Sequence, residues 1–328
     1  MLEASFNLDL IQFLFENRTP TGTTLFALFT FLGEIEGYVL VVSLVHVAYD
    51  KGLALRLAVL ALVTMSVNHF VKTVIANPRP FIDEGTYAEK WAVSEAKAAE
   101  LAPEYSTPSG HAMTGSCFYT YLCACVKSRS VRIASIGMVL LSGLSRPYLG
   151  VHYLEDVLLG WALGIPVALF ALRFGAAIGN AWSRLSLPHR ALIVVAASIG
   201  SWLVSSPLYD SNVHGQPLPF VSYLGFLAGI VLAYPLEARW VAFEPRSSTA
   251  LHKALRLAIS VSLVLGSLLL LDGLFGTLAS DASLLGNALR FVRYAVAGTV
   301  GVLLCPFLFV SLGLAGTTPP EETLERRC

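Results

Sequence analysis

Charge is what this sequence has least of. Asp, Glu, Lys and Arg make up 13% of its 328 residues, against 55% hydrophobic, and mean hydropathy is +0.67. Soluble domains carry about a quarter charged residues, so an ordinary soluble enzyme is excluded. The 22 basic and 22 acidic residues cancel, which leaves no positive excess for a nucleic-acid backbone. Cysteine offers no disulfide framework, because Cys117, Cys123, Cys125 and Cys305 fall inside apolar runs and Cys328 is the last residue. The opening MLEASFNLDLIQFLFENRTP has neither a basic segment nor a small-residue cleavage site. It reads as mature sequence rather than a signal peptide, with residues 6–16 expected as an amphipathic helix at the membrane surface. No internal repeat is visible, and no gap between apolar runs is long enough for a large soluble domain.

What is present is a succession of apolar runs, and about 20 such residues span a bilayer as a helix. They lie near 22–49, 53–76, 109–126, 133–146, 152–172, 191–207, 219–236, 254–273 and 291–313. The expected fold class is all-α: a polytopic integral membrane helical bundle of about nine spans, surrounded by membrane lipids. The first run invites a break near Gly33 and Glu34, and the fourth is short. Three regions are expected: 1–52, an interfacial helix and first span; 53–176, a core with an outer loop at 77–108; and 177–328, additional membrane helices.

Basic residues set the orientation. Fourteen of the 22 fall in one set of connectors: Lys51, Arg56, Lys127, Arg129, Arg132, Arg173, Arg184, Arg190, Arg239, Arg246, Lys253, Arg256, Arg326 and Arg327. That face is expected to be cytoplasmic, with the N-terminus outside. The opposite connector LYDSNVHGQPL (208–218) has no Lys or Arg, yet Lys72, Arg79 and Arg146 sit at outer span ends against the trend. Cations placed there point to an anionic ligand.

Three stretches meet on that outer face: KTVIANPRP (72–80), PSGH (108–111) and SRPYLGVHYLED (145–156). Arg presents a planar fork matched to phosphate oxygens and Lys adds a point charge. Ser109, Gly110 and His111 open a helix whose unpaired N–H groups and dipole favour an anion, and Gly110 permits close approach. Lys72, Arg79 and Arg146 with that helix start make a site for a dianion. His152 and Asp156, spaced i, i+4, share one helix face, where the carboxylate takes one ring N–H and leaves the other nitrogen to attack. His111, on a separate helix, is placed as the general acid for the departing oxygen. Phosphoryl transfer depends mainly on positioning and charge stabilisation, which the three cations supply without a metal.

The order K-x6-R-P, P-S-G-H, S-R-x5-H-x3-D resembles the three-part signature of the type 2 phosphatidic acid phosphatase superfamily. That group includes lipid phosphate phosphatases, sphingosine-1-phosphate phosphatases, glucose-6-phosphatase and vanadium haloperoxidases. Lys72, Arg79, Pro80, Ser109, Gly110, His111, Ser145, Arg146, His152 and Asp156 each match a motif position, and the resemblance covers roughly residues 60–172. It implies a phosphohistidine intermediate on His152, His111 as acid and no metal requirement. Nine spans with an outer N-terminus resemble the sphingosine-1-phosphate phosphatase and glucose-6-phosphatase layouts more than the six-span lipid phosphatases. The expectation is a membrane phosphatase, without cofactor, that hydrolyses a phosphomonoester or diphosphate of a lipid in a bacterial inner membrane, its active site facing the periplasm. A sugar-phosphate phosphatase, a lipid-to-lipid phosphotransferase and an anion-binding transporter are the alternatives.

Plainer readings stand beside these. The three cations by themselves fit snorkelling to lipid headgroups, and Asp156 by itself fits a salt bridge to Arg146. Asn68 and His69 fit satisfied polar residues of a bundle or partners of the site. Arg290 and Arg293 fit lipid headgroups or a second anionic group of the substrate. AEKWAVSEAKAAEL (88–101) is a good helix former, either a lid or a helix lying on the membrane.

Overall fold

The computed structural model describes residues 5–80, 101, 104–205, 219–246, 248–280 and 283–317. The expected lid at 88–101, apart from Leu101, the outer connector at 208–218 and the basic pair Arg326 and Arg327 lie outside these residues. Every long element is helical, and the start signals are local. Thr19 caps α2 (Pro20–Phe31), its side chain accepting from Gly22 N–H, with Pro20 at the first position, where a missing N–H costs nothing. α1 (Ser5–Glu16) precedes it. α2 and α3 (Ile35–Ala48) are bent by 61° at the Gly33–Glu34 break.

Among the described residues six helical stretches have the length and hydropathy to cross a membrane: α4 (Lys51–Ile75), α7 (Leu154–Ser183), α8 (Leu187–Ser205), α9 (Pro219–Trp240), α10 (Ala250–Gly276) and the stretch Leu284–Ser311. The bent pair α2 and α3 forms a seventh if it is one span. α5 (Gly110–Cys125) and α6 (Arg129–Tyr148) occupy the expected third and fourth positions. α5 has only 16 residues, and α6 carries Arg129, Arg132 and Arg146.

The chain forms two compact units, one chiefly from the segment up to Tyr38 and from Thr64–Arg173, the other from Val39–Val63, Phe174–Val204 and the C-terminal helices. In the first unit α5 is buried on nearly every side, from Ala112 to Leu122. A helix so enclosed needs close neighbours, and α7 approaches it at Gly164, where a Cβ would lie 2.1 Å from the Met113 carbonyl oxygen. Trp161 Nε1 donates to the Val139 carbonyl at 3.1 Å and braces α7 on α6. Thr30 Oγ1 donates to Ser145 Oγ at 2.9 Å, and Tyr119 OH to the Leu32 carbonyl at 3.1 Å, which fixes the bend against α6 and α5.

In the second unit α9 lies along α11 (Leu284–Thr299) with backbones almost touching. A Cβ on Gly229 would meet the Ala295 carbonyl oxygen at 2.1 Å, and one on Gly225 the Phe291 carbonyl oxygen at 2.4 Å. Such small-residue seams replace the hydrophobic driving force that helices lack in lipid. A π-helical segment, Val300–Leu304, separates α11 from α12 (Cys305–Ser311). Pro306, with no N–H to give, follows at once. Phe243 and Phe309 centre a small core with Val47, Val241 and Cys305. There β1 (Phe243–Glu244) pairs antiparallel with β2 (Gly316–Thr317). Glu237, almost wholly buried, is held by Lys51 Nζ at 3.0 Å and by Phe243 N–H at 2.9 Å.

Candidate active site

All site residues belong to the first unit. α4 ends at Ile75, and Ala76, at φ +51°, turns the chain so that Asn77 faces the residues before PSGH. Ser106 N–H donates to the Asn77 carbonyl at 2.7 Å, and Asn77 Nδ2 donates to Thr107 Oγ1 at 2.8 Å. Asn68 Nδ2 donates to the Pro108 carbonyl at 3.1 Å. Asn68 is therefore both satisfied and bonded to the site, which joins the two readings the sequence left open.

Arg79 is the hub. Its Nε donates to the Glu104 carbonyl at 3.0 Å and its Nη2 to Glu104 Oε2 at 3.0 Å. Nη1 reaches the Val151 carbonyl at 3.1 Å and His152 Nε2 at 3.0 Å. Lys72 Nζ joins Glu104 Oε2 at 3.3 Å. Lys72 and Arg79 are buried, whereas the Glu104 side chain is 44% exposed. Partial burial raises the Glu104 carboxyl, but the charges of Lys72 and Arg79 outweigh it and hold the group at about 2.

An arginine only donates. With Nη1 on His152 Nε2, that nitrogen is the acceptor, so the ring proton is assigned to Nδ1, which lies 3.3 Å from Asp156 Oδ2 and 3.1 Å from Ser106 Oγ. Burial, then the charges of Arg79, Arg146 and Lys72, push the imidazole well below its ordinary value. It is thus a neutral ring with its Nε2 lone pair turned to the cations.

The His152–Asp156 spacing works differently from the expectation of two residues on one helix face. α7 begins at Leu154, so His152 stands in the turn before it and Asp156 at the third helical position. Asp156 Oδ2 accepts from the Tyr153 N–H at 2.9 Å, the return half of a capping box. The same oxygen takes Ser106 Oγ at 2.5 Å, and Oδ1 takes a short bond from Thr107 Oγ1. Asp156 is fully buried and bonds to these groups and His152, not to Arg146. Its carbonyl accepts the Ser109 N–H at 3.0 Å, which ties PSGH to the same turn.

Ser109 is the N-cap of α5. Gly110 opens that helix, where a Cβ would come within 3.1 Å of Asn68 Oδ1. His111 follows in the first turn, its Nε2 buried without a hydrogen-bond partner among the described residues and 4.0 Å from Glu34 Oε1. Arg146, in the last turn of α6, is buried with its Nε likewise unbonded. The structure thus joins Arg79, His152, Asp156 and Ser109 by direct bonds, and Lys72 to Arg79 through Glu104. The charges of Arg146, Lys72 and Arg79 act on His111.

Glu34, Glu104, Ser106 and Thr107 are the residues that motif reasoning missed. Arg290 and Arg293 have partners inside the second unit: Arg290 Nε donates to Ser222 Oγ at 2.7 Å, and Arg293 pairs with Asp272. Among the described residues no three His, Cys, Asp or Glu side chains are grouped as metal ligands.

Comparison with known families matches residues 53–180 to the PAP2 superfamily and residues 221–317 to the PAP2 superfamily phosphatase transmembrane extension. The chain belongs to the PAP2 superfamily. The first PAP2 match contains Lys72, Arg79, Ser109, Gly110, His111, Arg146, His152 and Asp156. Over 70 residues the chain is 36% identical to phosphatidylglycerophosphatase B of Bacillus subtilis (strain 168), covering 19% of this chain and 34% of that protein. The match therefore spans about a third of that relative's length. Two crystal structures resemble the chain at 24% identity and TM-score 0.43. Aquifex aeolicus LpxE is matched over 52% of this chain and 97% of its own, and the first transmembrane PAP2 type phosphatidylglycerolphosphate phosphatase from Bacillus subtilis over 53% and 86%.

Proposed function

We propose that this PAP2 chain is a membrane phosphatase that removes a phosphate from a phosphorylated lipid through a phosphohistidine, without a metal. The observation that carries the reading is the neutral His152, whose Nδ1 faces buried Asp156 while Nε2 sits beside Arg79 and the Lys72 cluster. Nε2 attacks phosphorus as the ester P–O bond breaks, and the departing oxygen takes the proton of His111. Water then attacks the phosphohistidine, giving its proton to His111 and its oxygen to phosphorus. The P–N bond breaks, and inorganic phosphate leaves. Arg146 Nε and the first N–H groups of α5 supply further donors for the equatorial oxygens. Lipid is favoured because the site lies at span ends, where a tail can stay in the bilayer, and because the curated relative is a phosphatidylglycerophosphatase. The active site faces the periplasm of a bacterial inner membrane, opposite the arginine-rich connectors.

The test is phosphate release from a panel of phosphorylated lipids and glucose 6-phosphate in detergent with EDTA, comparing wild type, His152→Ala and Asp156→Asn. Activity that survives EDTA, vanishes in His152→Ala and falls about a hundredfold or more in Asp156→Asn is the expected result. Activity untouched by His152→Ala refutes the assigned nucleophile, and anion flux in vesicles without hydrolysis turns the reading to a transporter.

A further inference from the structure

Glu104 takes no step in this mechanism, yet its carboxylate stands where an anion is required. It holds Lys72 Nζ at 3.3 Å and Arg79 Nη2 at 3.0 Å, while Arg79 Nη1 covers His152 Nε2, the attacking atom. A phosphate presented to Nε2 has to take the same two cations and draw Nη1 off the ring, so it competes with Glu104 for Lys72 Nζ and Arg79 Nη2. Of the three partners, Glu104 is the one with access to solvent, at 44% against 9% for the Lys72 side chain and 1% for Arg79.

We propose that Glu104 determines specificity: its carboxylate is an internal competitor that a doubly charged phosphate displaces and a singly charged phosphodiester does not. The proposal rests on reading the site as a phosphate site. Its logic is that of exchange. Membrane phospholipids are phosphodiesters, present in great excess at the same level as the site, and a bare cation cluster there would fill with them. Replacing one carboxylate charge by one diester charge gains nothing electrostatically and gives up the advantage of a group already tethered in place. A monoester dianion or a terminal diphosphate brings an additional charge to Lys72 and Arg79 and wins. Glu104 is ionised throughout the working range, so any pH dependence of the selection comes from the ligand, whose second proton leaves at about pH 6.

The experiment measures binding of inorganic phosphate and of dimethyl phosphate to the purified full chain by calorimetry in detergent at pH 8. Wild type, Glu104→Gln, Glu104→Ala and Glu104→Asp are compared, and lipid-phosphate hydrolysis is followed in parallel. The wild type is expected to prefer phosphate strongly. That preference falls about tenfold in Glu104→Gln and Glu104→Ala, because dimethyl phosphate gains access, and stays near the wild-type value in Glu104→Asp. In the wild type the preference also falls as pH drops from 8 to 5, because phosphate then carries a single charge. An unchanged preference in the Gln and Ala variants, or loss of phosphate binding in them, overturns the proposal, the second outcome making Glu104 a clamp that positions the cations. If the wild type hydrolyses lipid phosphate while the preference is unchanged, only this inference fails. If phosphate binds none of the proteins, the site reading fails with it.

Discussion

At the residue scale the geometry makes a titration prediction. His152 is held neutral by burial and by Arg79, Arg146 and Lys72, so its folded value lies below the unfolded one of about 6.5. The unfolded chain then takes the proton first, and the contribution of His152 to stability is complete above pH 6.5 and declines as pH falls below it. The melting temperature of wild type relative to His152→Gln should therefore decrease on going from pH 7 to pH 5, and ring 15N shifts should show a neutral imidazole at pH 6. A constant difference, or a ring protonated at pH 6.5, contradicts the assignment. Most of the residues assembled around the ring were legible as motif positions in the sequence. Glu104, Ser106 and Thr107 were not, because their bonds to Arg79, His152 and Asp156 cross 25 to 50 residues and follow no local period. The one available signal for the hydroxyls was their place immediately before PSGH.

At the scale of elements, apolar runs foretold where helices lie, and the break at Gly33–Glu34 appears as the bend between α2 and α3. Their ends were less legible. The run at 152–172 suggested a helix that includes His152, but α7 starts two residues later, since Asp156 returns a hydrogen bond to Tyr153 N–H and so fixes the first turn there. The short α5 makes sense only once its neighbours are known, and α7 meets it at Gly164. Gly164→Ala should destabilise the protein by roughly 1–3 kcal/mol and lower turnover by shifting Ser109 against Asp156. Gly179→Ala, on the same helix with nothing within 4 Å of the added carbon, should stay within about 0.5 kcal/mol of wild type. Unfolding midpoints and kcat of the pair check this, and equal effects count against the contact.

At the scale of the whole molecule, the connector at Lys127 and Ser128 lies at the far end of α5 and α6 from Ser109 and Arg146. In the orientation proposed above from the positive-inside pattern, the connector faces the cytoplasm and the site the periplasm. In oriented vesicles a membrane-impermeant thiol reagent should label Tyr105→Cys from the periplasmic side and Ser128→Cys from the cytoplasmic side, and labelling of both from one side refutes the arrangement. The C-terminal helices were visible in the sequence only as apolar runs, because runs report length and hydropathy but not which faces meet. The seam of Gly225 and Gly229 against Phe291 and Ala295 has a consequence for how such a chain can vary. With main chain resting on main chain, neither helix can accept a larger residue at the seam unless the other moves away. A single larger residue there has to be met by a shift or a matching change on the facing helix, so α9 and α11 are expected to vary as a pair.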